Sequence, residues 1–269
     1  MQGFRKILDA LAPLWGVAVF DAARVREGSR AKERLPENAH SVIVAAFPFL
    51  LPEEQYRGRN VARYAVPRDY HLICGARLER ACAQLQAICP GEAFAWFCDN
   101  SPLPELATAV EAGLGLRGRH NLLITRDYGS WVMLGEIVTS LALEPSGRAD
   151  FSPGCADCGA CRRACPAGAL DDGEGFDRSR CLSGVTQERR APSPEAKALL
   201  RKTGSAWGCD LCQEVCPWNR RAKCLPLPEF TQNTIARADE STQLSDRAYA
   251  WRGKQVFKRN LQILKEETP

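Results

Sequence analysis

Eight of the thirteen cysteines fall between residues 155 and 216, closely spaced in two groups. "CADCGACRRACP" sets Cys155, Cys158, Cys161 and Cys165 in the pattern C-x2-C-x2-C-x3-C-P. Three thiols at consecutive x2 intervals crowd onto one small turn, where they can seat three corners of a cubane. In two-cluster ferredoxins the fourth cysteine of such a run ligates the other cluster. "CDLCQEVCP" answers with Cys209, Cys212 and Cys216, again before a proline, but lacks one member of the run. Cys181, isolated upstream, is the natural replacement. The spacing therefore predicts two [4Fe–4S] clusters, one on Cys155, Cys158, Cys161 and Cys216, the other on Cys165, Cys181, Cys209 and Cys212. Structural zinc is the competing reading, but its four ligands typically come as two pairs separated by a loop. Pro166 and Pro217 turn the chain away and bring no N–H to satisfy. Cys74, Cys82, Cys89 and Cys224 lack a partner at ligand spacing and read as packing residues.

An odd number of cysteines argues against a disulfide framework, and a reducing compartment would keep these thiols available to metal. The opening "MQGFRKILDALAPLWGVAVF" interrupts its apolar residues with charge and proline, so it reads as an amphipathic helix entering a strand, not an export signal. No segment reaches the roughly 18 uninterrupted apolar residues of a membrane span. These features predict a cytoplasmic protein with no membrane partner. The net charge of +4 is too mild to announce a nucleic-acid partner by itself. At 269 residues and 45% hydrophobic, the chain can bury one large core and a smaller second unit.

The elements that must position this chemistry divide near residue 150. Strands are predicted at "GVAVF", "HSVIVAAFPF" and "EAFAWFCD", with two more in "NLLITRDYGSWVMLGEIVTSLAL" meeting at a turn around Asp127 to Gly129. "RDYHLICGARLERACAQLQAI" reads as a helix burying Leu72, Ile73, Ala76, Leu78, Ala81, Leu85 and Ile88. "SPLPELATAVEAGLG" reads as another, with Ser101 as N-cap. "EPSGRADFSPG" is a linker into the cysteine-rich part, which has few apolar runs and should depend on what its cysteines hold. "KQVFKRNLQILKEE" closes the chain as one helix packed back on the body.

Clusters carry single electrons, and about 150 residues in front of them are more than a ferredoxin needs. Those residues resemble a known family. "ARYAVPRDYH" (62–71), "FCDNSPLPE" (97–105), "AGLGLRGRHNLLI" (112–124) and "GSWVMLGEI" (129–137) are similar, in order and spacing, to the epoxyqueuosine reductases. So are "RCLSGVTQE" (180–188) and "WGCDLCQEVCPWN" (207–219). The resemblance implies a cobalamin-dependent enzyme that reduces epoxyqueuosine in tRNA to queuosine. It implies an α+β chain: a nitroreductase-like cobalamin-binding α/β domain over 1–149, a bacterial ferredoxin-like two-cluster module over 150–224 and a helical tail over 225–269. It also implies a low-potential electron donor such as a flavodoxin or ferredoxin.

Opening an epoxide and expelling its oxygen as water takes two electrons and two protons, so an acid must stand near. Asp99 is the candidate. Trp96, Phe97, Pro102 and Leu103 flank it, an apolar setting that would keep it protonated, and the family's proton donor is the aspartate of this motif. By the same resemblance the corrinoid is expected near Ala62, Leu123, Leu134, Ser183, Cys209 and Asp210. His71 reads as a structural residue at a helix start, and His120 as either a substrate or cofactor neighbour or a solvated loop residue.

Family members continue into a helical repeat domain that helps grip tRNA, and this sequence resembles a short form without it. The partner is therefore either tRNA or a queuosine-precursor nucleoside. From Cys155 to Cys224 there are 12 Lys/Arg against 9 Asp/Glu, an excess that two anionic clusters would roughly offset. Two other readings compete: a cobalamin-dependent reductase of a small molecule, as in reductive dehalogenation, and an electron carrier or corrinoid-reducing partner with no substrate of its own.

Overall fold

The computed structural model describes residues 2–152, 154–155, 158–171 and 175–266. They form two compact units, one from the described residues of 1–48, 71–118 and 122–155, the other from those of 49–70, 119–121 and 156–269.

The first unit is built on a sheet. Helix α1 (Gln2–Leu11) turns Phe4, Leu8 and Leu11 inward and leads into β1 (Leu14–Val19). Then come β2 (Ser41–Pro48), α2 (Tyr70–Ile88), β3 (Phe94–Phe97), α3 (Glu105–Glu111), β4 (Leu116–Arg117), β5 (Leu123–Ile124) and β6 (Val132–Thr139). The main sheet has the order β1-β2-β6-β3, with every neighbouring pair antiparallel. All eight residues of β2 are buried, which its run of small and β-branched side chains from Ser41 to Ala46, followed by Phe47, permits. Val42, Val44 and Ala46 join Phe97, Leu103, Ala109 and Val138 in one core on the α3 side. The alternate residues point the other way. There Leu78 of α2 and Phe47 close over Gly135, where an added Cβ would lie 2.7 Å from Leu78 and 3.0 Å from Phe47.

Several expectations change in detail. Helix α2 buries Ile73, Cys74, Gly75, Leu78, Ala81, Cys82 and Leu85, whereas Leu72 and Ile88 are exposed. The stripe is rotated because cysteine and glycine fill positions that the long aliphatics were expected to take. Helix α3 starts at Glu105 behind Pro104, so Ser101 is not its cap. Segment β5 pairs with β4, and the predicted turn survives as a bridge between Thr125 and Gly129.

The second unit holds the short elements α4 (Ala160–Ala164), β7 (Leu170–Asp171), β8 (Gly175–Phe176), α5 (Leu182–Gln187), α6 (Pro194–Thr203) and α7 (Leu211–Glu214), and the longer α8 (Lys254–Lys265). The predicted C-terminal helix packs on α5 and α6, where Leu182, Leu200 and Ile263 meet. Buried Asn260 of α8 donates to the carbonyls of Thr186 (2.7 Å) and Ala206 (2.8 Å). The unit also has more conventional core than its sequence suggested. Trp207, Phe230, Tyr249 and Phe257 are fully buried, with Tyr249 stacked on Phe257 at 4.3 Å. Three of the four come from beyond residue 225, and Phe49 meets Phe230 edge-on. Among the described residues no helix is long and apolar enough to cross a membrane.

Candidate functional site

Every cysteine of the two motifs is a free thiol. In the second unit Cys161 lies in α4, and Cys165 follows that helix, its Sγ accepting the Ala169 N–H at 3.3 Å. Cys181 precedes α5, and Cys209 and Cys212 bracket the start of α7, which packs against α4. These thiols are close enough to feel one another's charge. Burial, with repulsion from Asp210, Cys181 and Cys165, pushes Cys209 up to about 12. Burial, with repulsion from Cys209, Cys181, Asp210 and Cys161, raises Cys212 as well. Thiols packed this way resist ionisation alone and give it up to a bound metal. Cys209 thus lies within electrostatic reach of Cys165 and Cys181, and Cys212 within reach of Cys209, Cys181 and Cys161. Among the described residues no three His, Cys, Asp or Glu side chains converge as ligands of a single metal ion. Cys216 is buried, Cys158 exposed and Cys155 half-buried.

Four positions expected at the corrinoid also meet in the second unit. Segments 60–63 and 206–210 run side by side: Ala206 N–H donates to Asn60 O and Ala62 N–H to Trp207 O, both at 2.7 Å. The Arg63 N–H then donates to Oδ2 of Asp210 at 2.7 Å. Gly208 N–H donates to Thr186 Oγ1 at 3.0 Å, and that hydroxyl donates to the carbonyl of Ser183. Ala62, Ser183, Cys209 and Asp210 are therefore tied together around Gly208. The Asp210 carboxylate is buried and lies 3.3 Å from Arg59 Nη1; burial raises it to about 6 in spite of the nearby arginines.

Gly208 has φ +73°, and an added Cβ would lie 2.5 Å from the Ala62 Cβ and 3.1 Å from Tyr64. Gly208→Ala should therefore destabilise the protein by more than ~1 kcal/mol, read as a lower denaturant midpoint in anaerobic unfolding.

The first unit carries Asp99, just beyond β3, at φ +59°. Its apolar neighbours do not enclose it. Phe97 is buried and Cys98 turns inward, its Sγ 3.8 Å from the Leu134 carbonyl, while the Asp99 side chain is 59% exposed. His71 Nε2 stands 3.4 Å from Asp99 Oδ2. Sequence reasoning missed this pairing, because the two residues belong to separate segments and only the fold joins them. The buried carboxyls are instead Glu105 and Glu136, which the sequence reading did not single out. Burial, with repulsion from Glu136 and Asp99, raises Glu105 to about 8. Burial raises Glu136 to about 7 against a hydrogen bond from Ser101 and the charges of Arg26 and Arg24. Leu123 is buried and Leu134 half-buried.

His120, in the second unit, is buried, so the solvated-loop role falls away. Burial lowers it to about 4, and neither ring nitrogen has a hydrogen-bond partner among the described residues.

Residues 154–219 match the family described as "4Fe-4S double cluster binding domain", and residues 30–100 match "Epoxyqueuosine reductase QueG, DUF1730". The epoxyqueuosine reductase of Synechocystis sp. is 37% identical over 193 residues, covering 71% of this chain and 66% of the relative. That of Gloeobacter violaceus is 44% identical over 166 residues, covering 61% and 51%. The chain thus spans about half to two thirds of the length of these curated relatives. An epoxyqueuosine reductase solved with an epoxyqueuosine-modified tRNA-Tyr stem loop superposes with a TM-score of 0.81 at 21% identity, covering 98% of this chain and 80% of that one. One from Bacillus subtilis, solved with its aspartate-bearing catalytic loop swung out of the active site, gives 0.78 at 21% identity with the same coverage. A reductive dehalogenase whose structure suggests a mechanism for B12-dependent dehalogenation gives 0.54 at 17% identity, covering 78% and 30%. At these identities the structural likeness carries the mixed α+β fold, and the sequence matches carry the lineage: the chain belongs to the epoxyqueuosine reductase family and contains its 4Fe–4S double-cluster domain.

Proposed function

We propose that the chain is a cobalamin-dependent oxidoreductase that converts epoxyqueuosine to queuosine, with electrons relayed through two [4Fe–4S] clusters. The observation that carries this reading is the match of residues 154–219 to the 4Fe–4S double-cluster domain in a chain of this family, with eight cysteines at the spacing two clusters need. The ligand sets are those the spacing gives: Cys155, Cys158, Cys161 and Cys216 for one cluster, and Cys165, Cys181, Cys209 and Cys212 for the other. The functional division is a nitroreductase-like catalytic part within 1–149, a ferredoxin-like cluster module within 150–224 and a supporting tail from 225.

When bound, the corrinoid supplies low-potential electrons to the epoxide. The corrinoid neighbours that the family resemblance suggests are Ala62, Leu123, Leu134, Ser183, Cys209 and Asp210, of which Leu134, Ser183 and Cys209 keep accessible surface. Ala62, Leu123 and Asp210 are buried, so they would act by shaping backbone and packing. The reaction takes up two electrons and two protons and releases one water. Asp99, exposed beside His71, is the group placed to pass a proton to the departing oxygen. The catalytic aspartate loop of the Bacillus subtilis enzyme supports that assignment. The substrate is epoxyqueuosine within tRNA or as its nucleoside, and the donor is a low-potential carrier such as a flavodoxin or ferredoxin. The stem loop bound by a relative favours RNA.

Protein purified and reconstituted without oxygen should contain about eight irons with matching sulfide per chain and bind a cobalamin with its visible bands. It should then reduce epoxyqueuosine in a stem loop or as nucleoside. Zinc in place of iron, or loaded protein inert toward both substrates, would overturn the reading.

A further inference from the structure

The loop that carries Asp99 is short, strained and held from below. Asp99 sits at φ +59°, which costs an aspartate less than most residues but still has to be held by its surroundings. Two acids from different elements supply the hold. Glu105 opens α3, and its carboxyl accepts the backbone N–H of Asp99. Glu136 lies in β6 opposite Phe97, and its carboxyl accepts the hydroxyl of Ser101. That same hydroxyl oxygen accepts the Leu103 N–H at 3.1 Å. Arg26 completes the strap: its guanidinium donates to the Ser101 carbonyl and its backbone N–H to the Pro102 carbonyl at 2.9 Å.

Each acid also keeps one oxygen, Oε1, sealed from solvent with no hydrogen-bond partner among the described residues. A bare buried carboxylate oxygen is unfavourable, and protonating the group relieves it. The charges that face the pair are few. Arg26 faces both acids, Arg24 faces Glu136, and Asp99 repels Glu105. Two arginines, one of them already bonded to the loop carbonyl, do not offset burial at either acid or the added repulsion that Glu136 and Asp99 exert on Glu105, so both are raised toward the neutral range.

We propose that Glu105 and Glu136 form a proton-dependent latch that fixes the pose of the Asp99 loop: protonated, the pair holds the loop; fully ionised, it repels Asp99 and lets the loop go. Both acids are positioning residues, and neither donates to substrate. The catalytic meaning of the latch rests on Asp99 being the acid, whereas the latch itself does not.

The test uses the full chain with its cofactors, as parent, Glu105→Gln and Glu136→Gln proteins. Hydrogen exchange of the amides in 98–104, corrected for intrinsic rates, is followed from pH 6 to pH 9, with β2 amides as a control for global opening. In the parent protein, loop exchange should rise by about tenfold or more across this range while β2 stays protected. Glutamine keeps an acceptor and cannot ionise, so each variant should show a clearly shallower rise than the parent, and the double variant a flat profile. The alkaline limb of kcat for an epoxyqueuosine stem loop should move to higher pH in the variants with little change in KM. If a glutamine variant does not fold, Ser101→Ala, which cuts the Glu136 strap together with the Leu103 N–H bond to the same hydroxyl, should raise loop exchange already at pH 6. A parent profile that is flat, or a Glu105→Gln profile that climbs like the parent's, overturns the latch. Exchange needs no turnover, so an enzyme inert toward epoxyqueuosine sinks the proposed reaction and leaves the latch standing or falling on its own data.

Discussion

Replacing Asp99 by asparagine should lower turnover of an epoxyqueuosine stem loop by about 10²- to 10⁴-fold, the range general acids supply. Iron, sulfide and cobalamin content should stay at parent levels. The substitution isolates the proton. Asparagine has the same shape, accepts the left-handed backbone that Asp99 occupies at φ +59°, and still offers an oxygen to His71 at 3.4 Å. It has no acidic proton for an oxygen that must leave as water. Single-turnover kinetics with prereduced protein is the right measurement, because it removes electron delivery from the rate. A parent-like single-turnover rate for the asparagine protein, with cofactors in place, would end the assignment. Alanine would be a poorer probe, since it removes the His71 contact and fits the positive φ less well.

The cysteine motifs were legible because ligand spacing is local. Seven of the eight proposed ligands fall within two short runs, and Cys181, isolated between them, completes the proposed set. Strands β1, β2, β3 and β6 were legible for a related reason: their apolar runs have strand length, and turn residues bound them. Helix α3 was misplaced because Ser101 followed by two prolines mimics a helix start. The serine hydroxyl is instead recruited by Glu136, from a strand 35 residues away, and no window of sequence contains that competitor. The same holds for His71 with Asp99 and for Arg26 with the 101–102 carbonyls. The setting of Asp99 was misjudged because flanking apolar residues say nothing about side-chain direction. Phe97 and Cys98 turn inward, and the left-handed residue after them turns out. The aromatic core of the second unit was underestimated because Phe230, Tyr249 and Phe257 are scattered over a tail with little regular structure before α8.

Removing the Asp210 side chain should destabilise the second unit by about 2–3 kcal/mol, the range for losing a hydrogen bond to a charged group and leaving its donor without that acceptor. Its carboxylate does two jobs at once. It accepts the Arg63 N–H at 2.7 Å, which closes the run of bonds between 60–63 and 206–210, and it faces Arg59 at 3.3 Å. Arg59 and Arg63 also share Glu214, and Arg63 reaches Glu53, so the arginines keep partial partners when Asp210 is gone. The Arg63 N–H does not have such a replacement within this run, and Asp210→Ala leaves a void where the carboxylate was. Asp210→Asn should cost much less, because its amide oxygen can still accept from Arg63 and its volume is unchanged. The ordering alanine, asparagine, parent separates this account from simple charge balance, which would make the two variants equal. Anaerobic denaturant unfolding measures it, with iron content as the second readout, because Asp210 follows Cys209 directly and a slackened segment should hold its cluster less well. Equal midpoints for the alanine and parent proteins would mean that the tie between the two segments rests on the Ala62–Trp207 and Asn60–Ala206 bonds alone.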